Sequence, residues 1–134
     1  MAEPALDHDV TKLGRAVCFV PSKNPGSARA FYEGVLGLRF VSEDRFAVVL
    51  DSKGVAVRLV NVKGMRGFKP APFTVLGWQV EDVRKSVQRM RRKGVRFERY
   101  SGMDQDRLGI WTSPSGAKVA WFKDPDGNVL SVTE

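Results

Sequence analysis

The last eleven residues, DPDGNVLSVTE, contain the densest group of side chains that could do chemistry, because Asp124 and Asp126 lie two residues apart beside a glycine and an asparagine. Such carboxylates either bind a cation or close a turn. Calcium loops of the helix-loop-helix type have glycine at the sixth position and glutamate at the twelfth. Here Gly127 is fourth and Glu134 eleventh. The spacing therefore excludes that loop and predicts a type I turn, with Pro125 at its second position, that leads into a final strand.

Other groups that could catalyse a reaction lack suitable neighbours. Cys18 has no histidine beside it to generate a thiolate, and its place in a strand predicts that it faces a helix as a small buried side chain. His8, the only histidine, belongs to the polar segment before the first strand, so no serine triad can form in the core. Asp104 and Asp106 would act as a general acid or base only if their loop folds over a cavity; solvated carboxylates are the alternative.

The chain of 134 residues carries a formal charge of +7, whose densest source is RKSVQRMRRKGVRFER, from Arg84 to Arg99. Val83, Val87 and Met90 recur at helical spacing, so the predicted helix buries them and turns most of its basic side chains to solvent. Its basic residues are not interleaved with aromatic ones, and no helix-turn-helix or zinc-finger spacing appears. The sequence therefore argues against nucleic acid as a partner, with a phosphate-binding helix surface as the alternative.

Length and composition predict a single domain, residues 1–134, with a core large enough to be stable without disulfide bonds or structural metals. The single cysteine excludes an intramolecular disulfide, and the segment 1–9 has no apolar run. We therefore expect neither a signal peptide nor a membrane span, and a cytoplasmic location.

An internal repeat organises the chain. GLRF, from Gly37, matches GVRF, from Gly94, and each follows a strand and a helical pattern. DSKGVAVRLV and DPDGNVLSVT both place an aspartate three residues before a glycine and then continue as an alternating strand. In this register Arg58 matches Ser131.

Each half of the chain is therefore predicted to be a strand, a helix and three strands. Module one spans about residues 14–62, a glycine- and proline-rich linker spans about 63–72, and module two spans about 73–134. The predicted strands are 15–20, 38–41, 45–50, 55–60, 74–80, 95–99, 117–123 and 128–133, the helices are 25–36 and 81–93, and residues 109–112 are also expected to be extended.

The fold class predicted from this pattern is α+β. One helix in each module covers only one face of its sheet, so the other faces must meet or surround something. We expect the two βαβββ modules to form an open, cupped, eight-stranded mixed sheet or barrel with the helices outside and a cavity inside. The extra segment 101–116, rich in glycine, aspartate and serine, is predicted to be a loop that covers a binding site.

Two segments, ARAFYEGVLGLRF from Ala28 and FKDPDGNVLSVTE from Phe122, resemble the vicinal oxygen chelate superfamily, which includes glyoxalase I, extradiol dioxygenases and bleomycin-binding proteins. The resemblance extends over about residues 14–133. It implies the paired βαβββ fold. Because many members of the family pair as homodimers with cavities at or near the interface, the resemblance also implies a homodimer.

Enzymes of this family hold a divalent metal with His, Gln or Glu side chains from the first and last strands of each module. By resemblance, these places fall at Val17, Arg58, Val75 and Ser131. None of the four is a usual metal ligand, and a shift of one residue brings in only the Cys18 thiol. We therefore expect no metal and no cofactor.

The cavity is instead predicted to bind an organic molecule. Arg58 keeps its charge at ordinary pH and presents a planar fork to carboxylate or phosphate; the alternatives are that it pairs with an internal carboxylate or is exposed on the other face. Phe19 shares the face of Val17, and Trp111 and either Trp121 or Phe122 supply an aromatic lining. We expect Trp78 to belong to the core.

The resulting hypothesis is a small-molecule-binding protein of the glyoxalase and bleomycin-resistance type. Its ligand is expected to be anionic or aromatic, bound by Phe19, Val17, Arg58, Val75, Ser131, Trp111 and Trp121. The charge of +7 argues against bleomycin, which is cationic. The alternative is a lyase, isomerase or dioxygenase of the same superfamily that uses unusual metal ligands or acid and base catalysis.

Overall fold

The computed structural model describes residues 12–134, which form two four-stranded sheets and two helices. The chain order is β1 (Val17–Ser22), α1 (Pro25–Ala30) with a π-helical turn (Phe31–Val35), β2 (Arg39–Glu43), β3 (Ala47–Ser52), β4 (Val55–Asn61), β5 (Thr74–Gln79), α2 (Val83–Arg92), β6 (Trp111–Thr112), β7 (Lys118–Lys123) and β8 (Val129–Thr133).

Both sheets have the same topology. The strand order is β1-β4-β3-β2 in the first and β5-β8-β7-β6 in the second. In each, the first strand is parallel to the last strand of its module, and the other pairs are antiparallel. The predicted α+β class, with paired modules and eight strands in mixed sheets that do not close, is confirmed.

The helices begin where the sequence provides capping residues. The Asn24 side chain accepts a hydrogen bond from the Ser27 amide (3.1 Å) at the start of α1, and Asp82 accepts one from Lys85 (3.0 Å) at the start of α2. In α2 the predicted apolar stripe is buried. None of the helices within residues 12–134 is long and apolar enough to cross a membrane.

The first predicted helix, 25–36, divides into two geometries. After Ala30 the backbone hydrogen bonds change from the α-helical to the π-helical pattern, and the Leu36 amide donates to the carbonyl of Phe31, five residues earlier (3.1 Å). Such π-helical turns are rare and occur often at functional sites.

The prediction of a strand at 95–99 is wrong. Phe97 forms a single bridge with Phe122, and no ladder develops around it. The Gln105 side chain donates instead to the Glu98 carbonyl (2.9 Å), which closes the following loop onto this segment. The short strand β6 takes the edge position in the second sheet.

The helix sides of the two sheets share one hydrophobic core. Phe31 of the π-helical turn packs against Phe122 of β7 with ring centroids 6.3 Å apart, and Phe122 is fully buried. Residues of β1, β3 and β4 lie in the same cluster as residues of α2 and β8. Burial of this apolar surface drives the two modules together.

A buried hydrogen-bond network joins the modules at one end of this core. The Tyr32 hydroxyl donates to the Asp124 carboxylate (2.5 Å), and the Asn128 side chain donates to the same carboxylate (2.9 Å) and to the Pro21 carbonyl (2.8 Å). Burial, followed by the charge of Asp124, raises the pKa of Tyr32 well above its usual value, so its hydroxyl keeps the proton that it donates.

The arrangement within one chain differs from the expectation that its own two modules surround one cavity. The hydrogen bonds and aromatic contacts that link the modules lie on the helix sides. Because the helix sides face each other, the opposite face of each sheet, which we call its open face, points away from the other module. Phe19, on the first open face, is 65% exposed.

We predict that Tyr32→Phe lowers the free energy of unfolding by about 2 kcal/mol, because it removes a hydrogen bond to a buried carboxylate. Urea denaturation measures the change. Tyr100→Phe is the matched control, since Tyr100 lies at the surface, and we expect a change within about 0.5 kcal/mol. Equal losses in the two variants would contradict the role assigned to the buried network.

Candidate functional site

The first open face centres on Arg58. Strand alternation turns Arg58 away from the core, and the register places Phe19 of β1 on one side of it and Val49 of β3 on the other. Val17 lies on the same face, two residues before Phe19 and opposite Ala56. The structure therefore brings three of the predicted ligand-binding residues, Val17, Phe19 and Arg58, onto one surface.

Arg58 is half-buried, and it forms no ion pair or side-chain hydrogen bond with the residues that the structure describes. Its charge does act on Asp44, whose pKa is lowered chiefly by the backbone amides of Phe46 and Ala47 and to a smaller extent by Arg58. The Asp44 carboxylate accepts hydrogen bonds from those amides at 2.8 and 3.0 Å. The guanidinium of Arg58 therefore keeps its donors free for a ligand.

The second open face carries an aromatic patch, which we define as Tyr100, Trp111 and Trp121. The ring of Trp121 meets Tyr100 edge to face at 5.5 Å and lies 6.1 Å from Trp111. Ser131 of β8 lies between Trp121 and Gly77 in the sheet. The rings suit the flat apolar body of an organic molecule, whereas Ser131 is buried, with 7% of its surface exposed.

The two open faces hold equivalent positions, as the sequence repeat predicts for Arg58 and Ser131. Arg58 and Ser131 each occupy the last strand of their module, next to Phe19 and Gly77 respectively. The chemistry of the two faces is nevertheless different, because one presents a cation and the other presents aromatic rings.

Val75 is predicted to line the ligand site together with Ser131, but the structure does not place the two side by side. It lies at an irregularity between Thr74 and Leu76, is partly buried and packs against the shared core. Gly77 stands beside Ser131 instead, and a Cβ at Gly77 would approach the Ser131 Oγ to 2.5 Å. Glycine is therefore needed there while Ser131 keeps its position.

Strand parity also decides the aromatic residues that the sequence left open. Trp121 lies on the open face, and Phe122 lies in the core. Trp78 packs against the core, as predicted, and its Nε1 donates to the Ser52 hydroxyl (2.9 Å). Cys18 also packs against the core, and burial raises the pKa of its thiol, which suppresses the reactive thiolate.

Tyr100 is the residue of the aromatic patch that sequence reasoning missed. Tyr100 lies three residues after Phe97, which forms the bridge with Phe122, and its ring is on the face opposite to the core. Because side chains alternate along an extended segment, a core position for Phe97 would have predicted this face for Tyr100. Burial, and secondly the charge of Glu98, raise the pKa of Tyr100, so its phenol is neutral at ordinary pH.

Of the two loop carboxylates considered for acid and base catalysis, Asp106 is hydrogen-bonded within its own loop and Asp104 is exposed to solvent. Asp106 accepts hydrogen bonds from the amides of Leu108 and Ile110 (both 2.9 Å) and pairs with Arg84 of α2 (3.2 Å). Asp104 is exposed. Asp106 therefore organises the loop and holds it to α2.

The side chains at the expected metal positions do not fit a metal. A guanidinium, a serine hydroxyl and aliphatic groups occupy these places, and Zn²⁺ and related ions prefer His, Cys, Asp and Glu. Within residues 12–134, no three His, Cys, Asp or Glu side chains come together in a way that could hold an ion. His8 lies outside the described residues.

Comparison with known proteins places this geometry in a family. Residues 12–132 match the model of the Glyoxalase/Bleomycin resistance protein/Dioxygenase superfamily. No curated protein matches the chain.

Solved structures share the fold at low sequence identity. A superfamily member from Sphaerobacter thermophilus DSM 20745 has a TM-score of 0.72 at 22% identity, over 91% of this chain and 97% of that one. A lactoylglutathione lyase from Agrobacterium tumefaciens has a TM-score of 0.67 at 18% identity, over 89% and 91%. TnmS3, an antibiotic binding protein from Streptomyces sp. CB03234, has a TM-score of 0.64 at 21% identity, over 90% and 93%.

We predict that Zn²⁺, Ni²⁺ or Fe²⁺ at tenfold excess leaves the unfolding temperature unchanged, because a bound ion would stabilise the folded state and these positions offer no ligand set. Scanning calorimetry of dialysed protein measures the effect, with His8→Ala as the control for the single histidine. An increase of several degrees that persists in His8→Ala would contradict the prediction.

Proposed function

The chain belongs to the Glyoxalase/Bleomycin resistance protein/Dioxygenase superfamily, and on this basis we propose that it captures a small organic molecule with an aromatic body and a negative charge. The binding needs no catalytic metal. The proposal includes a cytoplasmic location, in keeping with a single cysteine that has no partner for an intramolecular disulfide.

The observation that carries the proposal is the environment of Arg58. A permanent charge lies half-buried between Phe19 and Val49, and no carboxylate among the described residues forms an ion pair with it. Partial burial removes some of the hydration of Arg58 without supplying an ion-pair partner. An anionic ligand therefore binds more favourably there than at a fully solvated arginine.

The aromatic patch supplies the second part of the ligand chemistry. Within one chain it lies on the second open face, whereas Arg58 lies on the first, and the two faces point away from each other. A homodimer that places the first open face of one protomer against the second open face of its partner would bring the cation and the rings together. It would also cover Phe19 and Val17, which are exposed in the single chain.

The descriptions of the similar structures are consistent with ligand binding as one function of this fold. One is described as an antibiotic binding protein and another as a lactoylglutathione lyase, so the fold alone does not decide between binding and catalysis. Here the choice rests on the side chains, since the described residues at the family's metal positions favour binding. The charge of +7 favours an anion over a cationic antibiotic.

We predict that Arg58→Ala weakens binding of 1-naphthoate about tenfold, because a charge-assisted hydrogen bond is lost. Binding of the neutral analogue 1-naphthamide should change less than about twofold. Titration followed by the indole NMR signals of Trp111 and Trp121 measures both affinities at the aromatic patch. Arg92→Ala, an identical change on the outer face of α2, is the control and should alter neither affinity. Equal losses for the acid and the amide would contradict an anion contact at Arg58.

A further inference from the structure

A concave region lies on the helix side of the molecule, away from both open faces. It is a groove between the end of the π-helical turn and α2, with a volume of about 630 Å³. This volume lies within the range of sites that hold small organic ligands. None of the residues that carry the proposed function lines it.

The floor of the groove is apolar. Leu38 of module one and Met90 of α2 form part of it, together with Trp78 and Val132 of the second sheet. The indole nitrogen of Trp78 already donates to the Ser52 hydroxyl, so this part of the floor joins the two modules. This surface can bury a hydrocarbon or aromatic body.

The charged side chains of the groove are predominantly cationic. Lys53, Arg89 and Lys93 line it and have no carboxylate within ion-pair distance among the described residues. Its single carboxylate, Asp51, is already ion-paired, since Arg15 lies 2.9 Å away and Arg39, which also lines the groove, lies 3.8 Å away. The uncompensated charge selects for a negative ligand.

The two modules contribute this charge from opposite sides. Lys53 follows β3 in module one, whereas in module two Arg89 lies in the last turn of α2 and Lys93 directly follows that helix. Lys93 also reaches across to donate to the carbonyl of Gly34 (3.2 Å), within the π-helical turn. The rare geometry of that turn thus occurs at the wall of the groove, where the modules meet.

We propose that this groove is a second binding site, separate from the open faces, for a small organic anion with an apolar body. The apolar part lies on Leu38, Trp78 and Met90, and the anionic group lies toward Arg89 and Lys93. Such a ligand contacts both modules and thereby stabilises their packing.

The three tryptophans provide a test that separates the two sites, because Trp78 lines the groove while Trp111 and Trp121 lie on the second open face. Titrating 1-naphthoate into the full chain should shift the Trp78 indole NMR signal saturably, and the shift should persist in Arg58→Ala. Arg89→Glu should weaken this binding about tenfold, since it replaces an attraction by a repulsion. Arg92→Glu, the same change on α2 outside the groove, should weaken it less than about twofold.

A Trp78 signal that does not move saturably would overturn the second site, whatever happens at Trp111 and Trp121. Equal weakening by Arg89→Glu and Arg92→Glu, or equal affinity for 1-naphthamide, would overturn its selectivity for anions. Failure of the proposed function has a different signature, since the signals of Trp111 and Trp121 would then stay unshifted or respond equally in Arg58→Ala.

Discussion

The buried carboxylate of Asp124 is the constraint on which the arrangement of the two modules depends. It accepts hydrogen bonds from the Tyr32 hydroxyl, the Asp126 amide, and the amide and side chain of Asn128. A buried carboxylate without such donors would cost several kcal/mol. Since Tyr32 belongs to module one and the other donors to module two, the network is complete only when the helix sides of the modules meet.

This packing determines what each surface of the molecule can do. The helix sides form the buried apolar core and leave a basic groove where the π-helical turn faces α2. The open faces carry Arg58 on one side of the molecule and the aromatic patch on the other. Under the proposed function these two surfaces are half-sites of one binding site, and a ligand that contacts both is an aromatic anion.

Much of the fold and part of the site follow from local patterns. Strand alternation and the internal repeat suffice to place Arg58 with Phe19, to separate Trp121 from Phe122 and to equate Arg58 with Ser131. The direction in which the open faces point cannot be predicted from local patterns, because it depends on the contact between Tyr32 and Asp124, which are 92 positions apart. The irregularity at Val75 in the pairing of β5 with β8 likewise cannot be predicted from strand alternation alone.

The most direct test of a site shared between protomers is subunit complementation between Arg58→Ala and Trp121→Ala, each of which should bind 1-naphthoate poorly at the open faces. A mixed dimer built as proposed has one site with both substitutions and one with neither. After equal amounts are unfolded and refolded together, half of the dimers should be mixed, so we expect about a quarter of all sites to regain full affinity. No recovery, with mixed dimers shown to be present, would contradict the claim that one protomer supplies Arg58 and its partner the aromatic patch.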